Sequence, residues 1–156
     1  QSPVSPAIGA YFNKKAYTDP ALRRKYTRMG FWVNIRLIRY PDVLLMAAES
    51  ANEKGLMGEA SGYLEQVRAH ARGTLTNVLP KVESLDQSVL REAIRHERRV
   101  ELGLEPDRFY DLVRWGIAQE VLQAAGKNYQ PKNALLPLPQ TEIDKSNGVL
   151  IQNPDY

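Results

Sequence analysis

The fold of this chain is set by an apolar run, Val43-Leu44-Leu45-Met46-Ala47-Ala48, which lies inside a longer helical pattern. Pro41 suits the first turn of a helix, where its missing amide proton has no partner in any case, and Gly55 supplies the stop. These signals predict a helix from about Arg39 to Lys54. Because the run is apolar on every side, the helix needs a cover on more than one side, and we expect another part of a longer chain or a partner to provide it. Left bare, the helix exposes an apolar patch above roughly 400 Å².

A second helix is predicted from about Gly58 to Arg72. Its apolar residues recur at spacings of three and four, which places them on one face: Ala60, Tyr63, Leu64, Val67 and Ala71. The short connection after Gly55 makes the two helices antiparallel. Together, Arg39 to Arg72 span 34 residues, the length of a tetratricopeptide helix pair. Ala48 and Ala60 stand where that motif needs small residues for close contact between helices.

Two further helices and a tail complete the organisation. The third helix is predicted from Asp86, a good N-cap, to about Leu104, and the fourth from about Arg108 to Ala125. The tail is rich in proline and is predicted as extended chain and turns. The sequence therefore predicts an all-α fold with tetratricopeptide-like pairs. It divides into a loop-rich segment (1–35), four main helices (36–126) and an extended, Pro-rich tail (127–156).

Composition excludes several classes of protein. The chain has 156 residues, 43% of them hydrophobic and 25% charged, which fits one globular domain. The net charge is +3, but Lys and Arg alternate with Asp and Glu, so nucleic acid is not an expected partner. The chain has no Cys, and His70 and His96 have no metal-ligand neighbours at suitable spacing, so we expect no metal and no cofactor. No apolar run reaches the roughly 18 residues of a membrane span.

Two glutamates lie on the apolar stripe of the third helix. At 100° per residue, the stripe falls within about 40° of Leu90 and contains Ile94, Glu97, Glu101 and Leu104. A buried carboxylate without a partner costs about 3–5 kcal/mol. We therefore expect a structural ionic network in which Arg108 and Arg114 of the fourth helix are the nearest cations for Glu97 and Glu101.

Catalysis is the competing interpretation of the same two glutamates. Side chains four residues apart on a helix can approach the roughly 5–5.5 Å separation of a retaining glycosidase pair. Such a pair must flank a substrate in a cleft, whereas Glu97 and Glu101 point side by side into packing. The pattern favours the ionic network, and no catalytic residue is predicted.

Phe31 and Trp32 are the best candidates for ligand contact. An aromatic ring on a loop can stack against the apolar face of a sugar while its edge stays wet. The alternative is that these two rings pin the loop against the first helix, because large rings are usually buried.

Four segments of the chain carry a further set of motifs. They are Ile38-Arg39-Tyr40 with Val43 to Glu49, Glu97-Arg98-Arg99-Val100-Glu101-Leu102, Asp107-Arg108-Phe109-Tyr110-Asp111-Leu112-Val113-Arg114-Trp115-Gly116, and Leu136-Pro137-Leu138-Pro139-Gln140 through Glu142-Ile143 to Gln152-Asn153-Pro154-Asp155-Tyr156. In their order and spacing, these segments resemble the C-terminal region of the SusD/RagB family of nutrient-binding outer-membrane proteins. The joint occurrence of four motifs is far more specific than any one of them.

The resemblance implies a non-catalytic protein that captures oligosaccharides at the bacterial outer surface. It implies a SusC-like TonB-dependent barrel as partner, and membrane association only through a lipid anchor that this chain lacks. Family members are several times longer, so we expect a fragment or a truncated relative. The helix pair of 34 residues leaves a second hypothesis open, a tetratricopeptide-like scaffold for protein–protein interaction.

Overall fold

The computed structural model describes residues 36–156, and this part of the chain is helical. It contains six α-helices and one 3-10 helix, with no β-strand among the described residues. The predicted all-α class is confirmed. None of the helices in the described range is long and apolar enough to cross a bilayer. Contacts divide the chain into two compact units, which we call the helical unit (described from residue 36 to 104) and the C-terminal unit (105–156).

The first two helices of the helical unit form the predicted antiparallel pair. Helix α1 spans Tyr40–Glu53 and helix α2 spans Met57–Arg72. Gly55 ends α1 with φ at 77°, and the Leu56 amide donates to the carbonyl of Ala51 at 2.9 Å. The left-handed glycine and the hydrogen bond from Leu56 back to Ala51 form a Schellman cap, which turns the chain directly into α2.

Helix α3, Gln87–Glu101, completes the helical unit and its core. Asp86 caps it as predicted, since its Oδ1 accepts from the amides of Ser88 at 2.9 Å and Val89 at 3.0 Å. The buried core draws on all three helices and consists of Leu44, Leu45, Ala48, Ala51, Ala60, Leu64, Val67, Leu90 and Ile94. Both predicted contact alanines, at 48 and 60, are 0% exposed. The apolar run of α1 therefore has one well-covered face, while Val43 and Met46 stay 44% and 42% exposed.

The predicted end of the third helix at Leu104 is wrong. The helix ends at Glu101, and Leu104 has φ at 66° and is 66% exposed. Pro106 disfavours helical backbone at the residue before it, and a left-handed residue cannot continue a right-handed helix. Leu104 consequently leaves the stripe that Leu90 and Ile94 share.

The predicted single fourth helix is also wrong, because the structure has two short helices there. Helix α4 spans Arg108–Arg114 and helix α5 spans Ala118–Ala124. Gly116 separates them with φ at 72°, and the Ile117 amide donates to the carbonyl of Leu112 at 3.1 Å. This is a second Schellman cap, and it redirects the chain after α4. The 36–126 region thus contains five helices and not four.

The predicted extended tail contains two further helical segments. A 3-10 helix spans Pro131–Ala134 and helix α6 spans Gln140–Lys145. Pro131 stands in the first turn of the 3-10 helix, and Pro139 immediately precedes α6, positions where a missing amide proton is tolerated. Tyr129, at the start of the tail, joins Leu112 and Ala118 in the buried cluster of the C-terminal unit. The prolines that suggested extended chain therefore also help to start helical turns.

Candidate functional site

The carboxylate of Glu97 is buried beside the apolar core and is paired with a cation from α2. Glu97 is 3% exposed, and Arg68 Nη1 lies 2.6 Å from its Oε2. Arg68 lies four residues after the core residue Leu64, and Glu97 lies three residues after the core residue Ile94. Each side chain therefore lies near the core-facing side of its helix. A buried carboxylate with a close guanidinium partner is stable, whereas either charge alone would be destabilising.

Two further ion pairs join the start of α1 to the end of α3. Arg39 Nη1 lies 2.8 Å from Glu101 Oε1, and Arg39 Nη2 donates to the Glu101 carbonyl at 2.9 Å. Arg98, which is 5% exposed, places Nη1 2.8 Å from Asp42 Oδ1. Asp42 stands in the first turn of α1 and Arg98 in the last turn of α3, so each charge also interacts favourably with its helix dipole.

The structure thus assigns the partners of the two stripe glutamates to Arg68 and Arg39. Neither arginine is predicted from the sequence as a partner, although Arg39 lies inside the first of the four family segments and Arg68 follows the core residue Val67. Arg108 and Arg114 belong to the C-terminal unit. Their predicted pairing with Glu97 and Glu101 stays a prediction.

Within the C-terminal unit, the two arginines surround Trp115. The Arg114 guanidinium lies 4.9 Å from the centroid of the indole ring, and that of Arg108 lies 5.8 Å from it. Arg114 Nη2 also pairs with Asp111 Oδ1 at 2.8 Å, and Asp111 is buried. Guanidinium groups over an aromatic face form cation–π contacts. Trp115 therefore makes cation–π contacts with both arginines.

The ion pairs have consequences for chemistry at Glu97 and Glu101. Both carboxylates accept a hydrogen bond from an arginine, and Glu97 is 3% exposed. A glycosidase pair instead faces a substrate across an open cleft. These contacts place Glu97 and Glu101 in ion pairs within the helical unit.

The exposed pair Glu53–Arg91 gives a useful contrast to the buried pairs. Arg91 Nε and Nη2 each donate to one oxygen of Glu53, both at 2.7 Å. The hydrogen bonds from Arg91 hold the pKa of the Glu53 carboxyl below its usual value. This pair links the end of α1 to α3 on the surface, at the opposite end from Arg39 and Glu101.

The remaining sequence candidates fall into two groups. His70 and His96 are exposed, and no cluster of three metal-ligating side chains occurs within the described residues. Phe31 and Trp32 lie outside the described residues, so their predicted role in ligand contact stays a prediction.

Comparisons with known proteins agree with the four sequence segments. The SusD family model matches residues 7–156. SusD-like protein P25 of Formosa agariphila is 39% identical over 155 residues, covering 95% of this chain and 28% of that protein. SusD-like protein P2 of the same organism is 36% identical over 127 residues, covering 76% of this chain and 25% of that protein.

A solved structure supports the fold in the same way. The crystal structure of a SusD homologue from Bacteroides thetaiotaomicron is similar, with a TM-score of 0.70 at 29% identity over 85% of this chain and 30% of that one. The chain spans less than a third of the length of these relatives. From the family match, the related sequences and the shared helical fold, it follows that this chain belongs to the SusD family.

Proposed function

We propose that this chain is part of a protein that binds oligosaccharides at the bacterial outer surface and does not cleave them. Its membership of the SusD family, matched over residues 7–156, carries this proposal. The resemblance to this family implies a protein that captures nutrients for a transporter. Since the chain spans less than a third of the length of these relatives, the proposed activity is that of a longer protein to which the chain contributes one part.

The contribution of the described residues is a rigid framework. The family segments place Leu45, Ala48 and Leu112 in buried clusters, and Arg39, Glu97 and Arg98 in ion pairs. Side chains committed to such contacts hold helices in register and are not available to a ligand. Ligand contact is then left to other parts of the protein, for which Phe31 and Trp32 remain our proposed aromatic pair.

The ion pairs made by the carboxylates of α3 support the proposal that the protein does not cleave glycans. Glu97 and Glu101 are bound to Arg68 and Arg39, and both pairs are partly or fully shielded from water. Paired in this way, they stabilise the helical unit and do not face a substrate.

Isothermal titration against a panel of plant and host glycans tests the proposal. The longest natural form of the protein should bind at least one glycan and release no reducing ends during overnight incubation. Phe31→Ala with Trp32→Ala should weaken that binding about 10–100-fold, which corresponds to about 1.4–2.8 kcal/mol. Tyr110→Ala is the matched control, because Tyr110 is an aromatic residue that is 68% exposed on α4, and it should leave the affinity unchanged. Absence of binding across the panel, or glycan cleavage, would overturn the proposal.

We further propose a SusC-like TonB-dependent barrel as the partner. An affinity-tagged form of the longest natural protein should co-purify with a barrel of this class from detergent-solubilised outer membranes. Recovery without any barrel, under conditions in which the protein itself is localised to the outer membrane, would contradict this part of the proposal.

The second candidate function is a tetratricopeptide-like scaffold that binds another protein. The α1–α2 pair favours it, with Ala48 and Ala60 buried at the helix contact and Val43 and Met46 exposed on the outer face of α1. Met46→Glu discriminates between the two functions, with Ser50→Glu as an exposed control on the same helix. A scaffold should lose its protein partner with Met46→Glu, whereas a glycan-binding protein should keep its affinity for sugar.

A further inference from the structure

The connection between α2 and α3 is held in an unusual way. Among the described residues, main-chain groups from residue 76 to residue 85 make no hydrogen bond with one another or with other main-chain groups. Instead, carbonyl groups of this segment accept hydrogen bonds from side chains of α2. We define the strap as residues Leu79–Val82, the part of the connection that receives these bonds.

Three side chains on one face of α2 hold the strap. Arg72 donates from Nε and Nη2 to the Leu79 carbonyl, at 2.9 and 2.6 Å. Arg68 donates from Nε and Nη2 to the Pro80 carbonyl, at 3.2 and 2.9 Å. Ser61 Oγ donates to the Val82 carbonyl at 3.2 Å. At 100° per residue, these three donors lie within about 40° of one another around the helix. All five hydrogen bonds are accepted by main-chain carbonyl groups of the strap, and none involves a strap side chain.

Arg68 has a second partner, which fixes its orientation. Its Nη1 binds Glu97 Oε2 at 2.6 Å, so a single guanidinium joins the strap to the buried carboxylate of α3. Arg72 is oriented in the same manner by Glu65, whose two carboxylate oxygens accept at 2.9 and 3.2 Å. The carboxylates thus aim both guanidiniums at the strap.

The strap contributes little burial of its own. Leu79 and Val82 are half-buried, and Val82 packs against the core, whereas Pro80 and Lys81 are exposed. The flanking Leu75 and Leu85 are 60% and 58% exposed. Leu79 also has φ at 47°, a left-handed conformation that is unfavourable for leucine. Segments with few buried apolar contacts and exposed hydrogen bonds open at lower free energy than the core.

We infer that the strap opens and closes over α2 as a unit separate from the three-helix core, and that Glu97 keeps it closed by holding Arg68 in place. In the open state, Ser61, Arg68 and Arg72 form a row of donors whose hydrogen bonds to the strap are broken. In the closed state, the strap itself occupies this row.

Trypsin provides the test, because the bond between Lys81 and Val82 lies inside the strap. Cleavage needs a locally opened chain, so its rate under native conditions follows the population of the open state when closing is fast. The whole chain is incubated with trypsin at several low urea concentrations, and cleavage at Lys81 is followed by mass spectrometry. Independent opening predicts a urea dependence much shallower than that of global unfolding measured by circular dichroism.

Variants separate the strap from the core. Glu97→Gln should speed cleavage at Lys81 about tenfold, since Arg68 loses a charged hydrogen bond, and Ser61→Ala should speed it about threefold. Glu92→Gln is the control, because Glu92 pairs with Arg95 on the surface of the same helix. The rate of cleavage at Lys81 in this variant should stay within about twofold of that in the unmodified chain. The inference is overturned if cleavage follows the urea dependence of global unfolding, or if Ser61→Ala and Glu92→Gln are cleaved at the same rate.

Discussion

The helical unit and the C-terminal unit are stabilised in different ways. The helical unit buries nine apolar residues in one cluster and adds ion pairs between its helices, whereas the C-terminal unit buries three. In the C-terminal unit, side-chain amides supply bonds that helices and strands would otherwise make. Gln152 accepts from the Leu138 amide at 2.7 Å and donates to its carbonyl at 2.9 Å, and Asn153 donates to the Leu136 carbonyl at 2.6 Å. Where proline prevents long helices, polar side chains take over the role of a neighbouring main chain.

The difference in core size predicts the strongest effect. Leu45→Ala should lower the free energy of unfolding by about 4–5 kcal/mol, because Leu45 is 0% exposed and lies in the larger cluster. Leu112→Ala, at 1% exposure in the smaller cluster, should cost about 2–3 kcal/mol, since fewer fully buried residues surround it. Urea unfolding followed by circular dichroism measures both. Equal losses would remove the distinction between the two cores.

The buried ion pair of the helical unit predicts the next effect. Arg68→Met should cost about 3–5 kcal/mol, because it leaves the Glu97 carboxylate buried without its cation. Combining Arg68→Met with Glu97→Leu should recover most of this loss, since no charge is then left in the core. A double variant as unstable as the single one in urea unfolding would contradict the explanation by desolvation.

The amide bonds of the C-terminal unit predict a smaller effect. Gln152→Ala should cost about 1–3 kcal/mol, because the main-chain groups of Leu138 lose their partner. Hydrogen exchange at the Leu138 amide should become faster by a corresponding factor. Gln119→Ala, at an exposed position on α5, is the control and should leave the exchange unchanged.

The surface pair Glu53–Arg91 predicts the smallest effect and a dependence on pH. Because the pKa of Glu53 is lower in the folded chain than in the unfolded one, the pair adds stability above the unfolded pKa of about 4.3. That contribution is lost as the pH falls through the folded pKa. Glu53→Gln should therefore cost less than about 1 kcal/mol at pH 7, and its difference from the unmodified chain should vanish below the folded pKa. A difference in thermal unfolding that does not shrink as the pH is lowered would contradict this assignment.

Local signals in the sequence were sufficient for α1, α2 and the start of α3. Pro41, Gly55 and Asp86 mark helix ends through contacts within a few residues, so no knowledge of the rest of the fold was needed. Gly116 was harder to interpret, because a helix tolerates a single glycine. Only the left-handed φ of Gly116 shows that α4 has ended there.

The candidate site was predictable only in part. The position of Glu97 and Glu101 on an apolar stripe indicated that both needed cations. The identity of those cations was not accessible, because Arg68 and Arg39 lie 29 and 62 residues away along the chain. Such pairing depends on how the helices pack, and periodicity within one helix carries no information about it.

Glycan binding by a Glu101→Gln variant tests the division between framework and ligand contact. Isothermal titration would use the best-bound glycan of the panel, at a temperature where circular dichroism shows the variant to be folded. If the α3 carboxylates serve the framework, the affinity should stay within about twofold of the unmodified protein, because the ligand contacts lie elsewhere. A loss of affinity of tenfold or more in a fully folded variant would contradict the framework role of this helix.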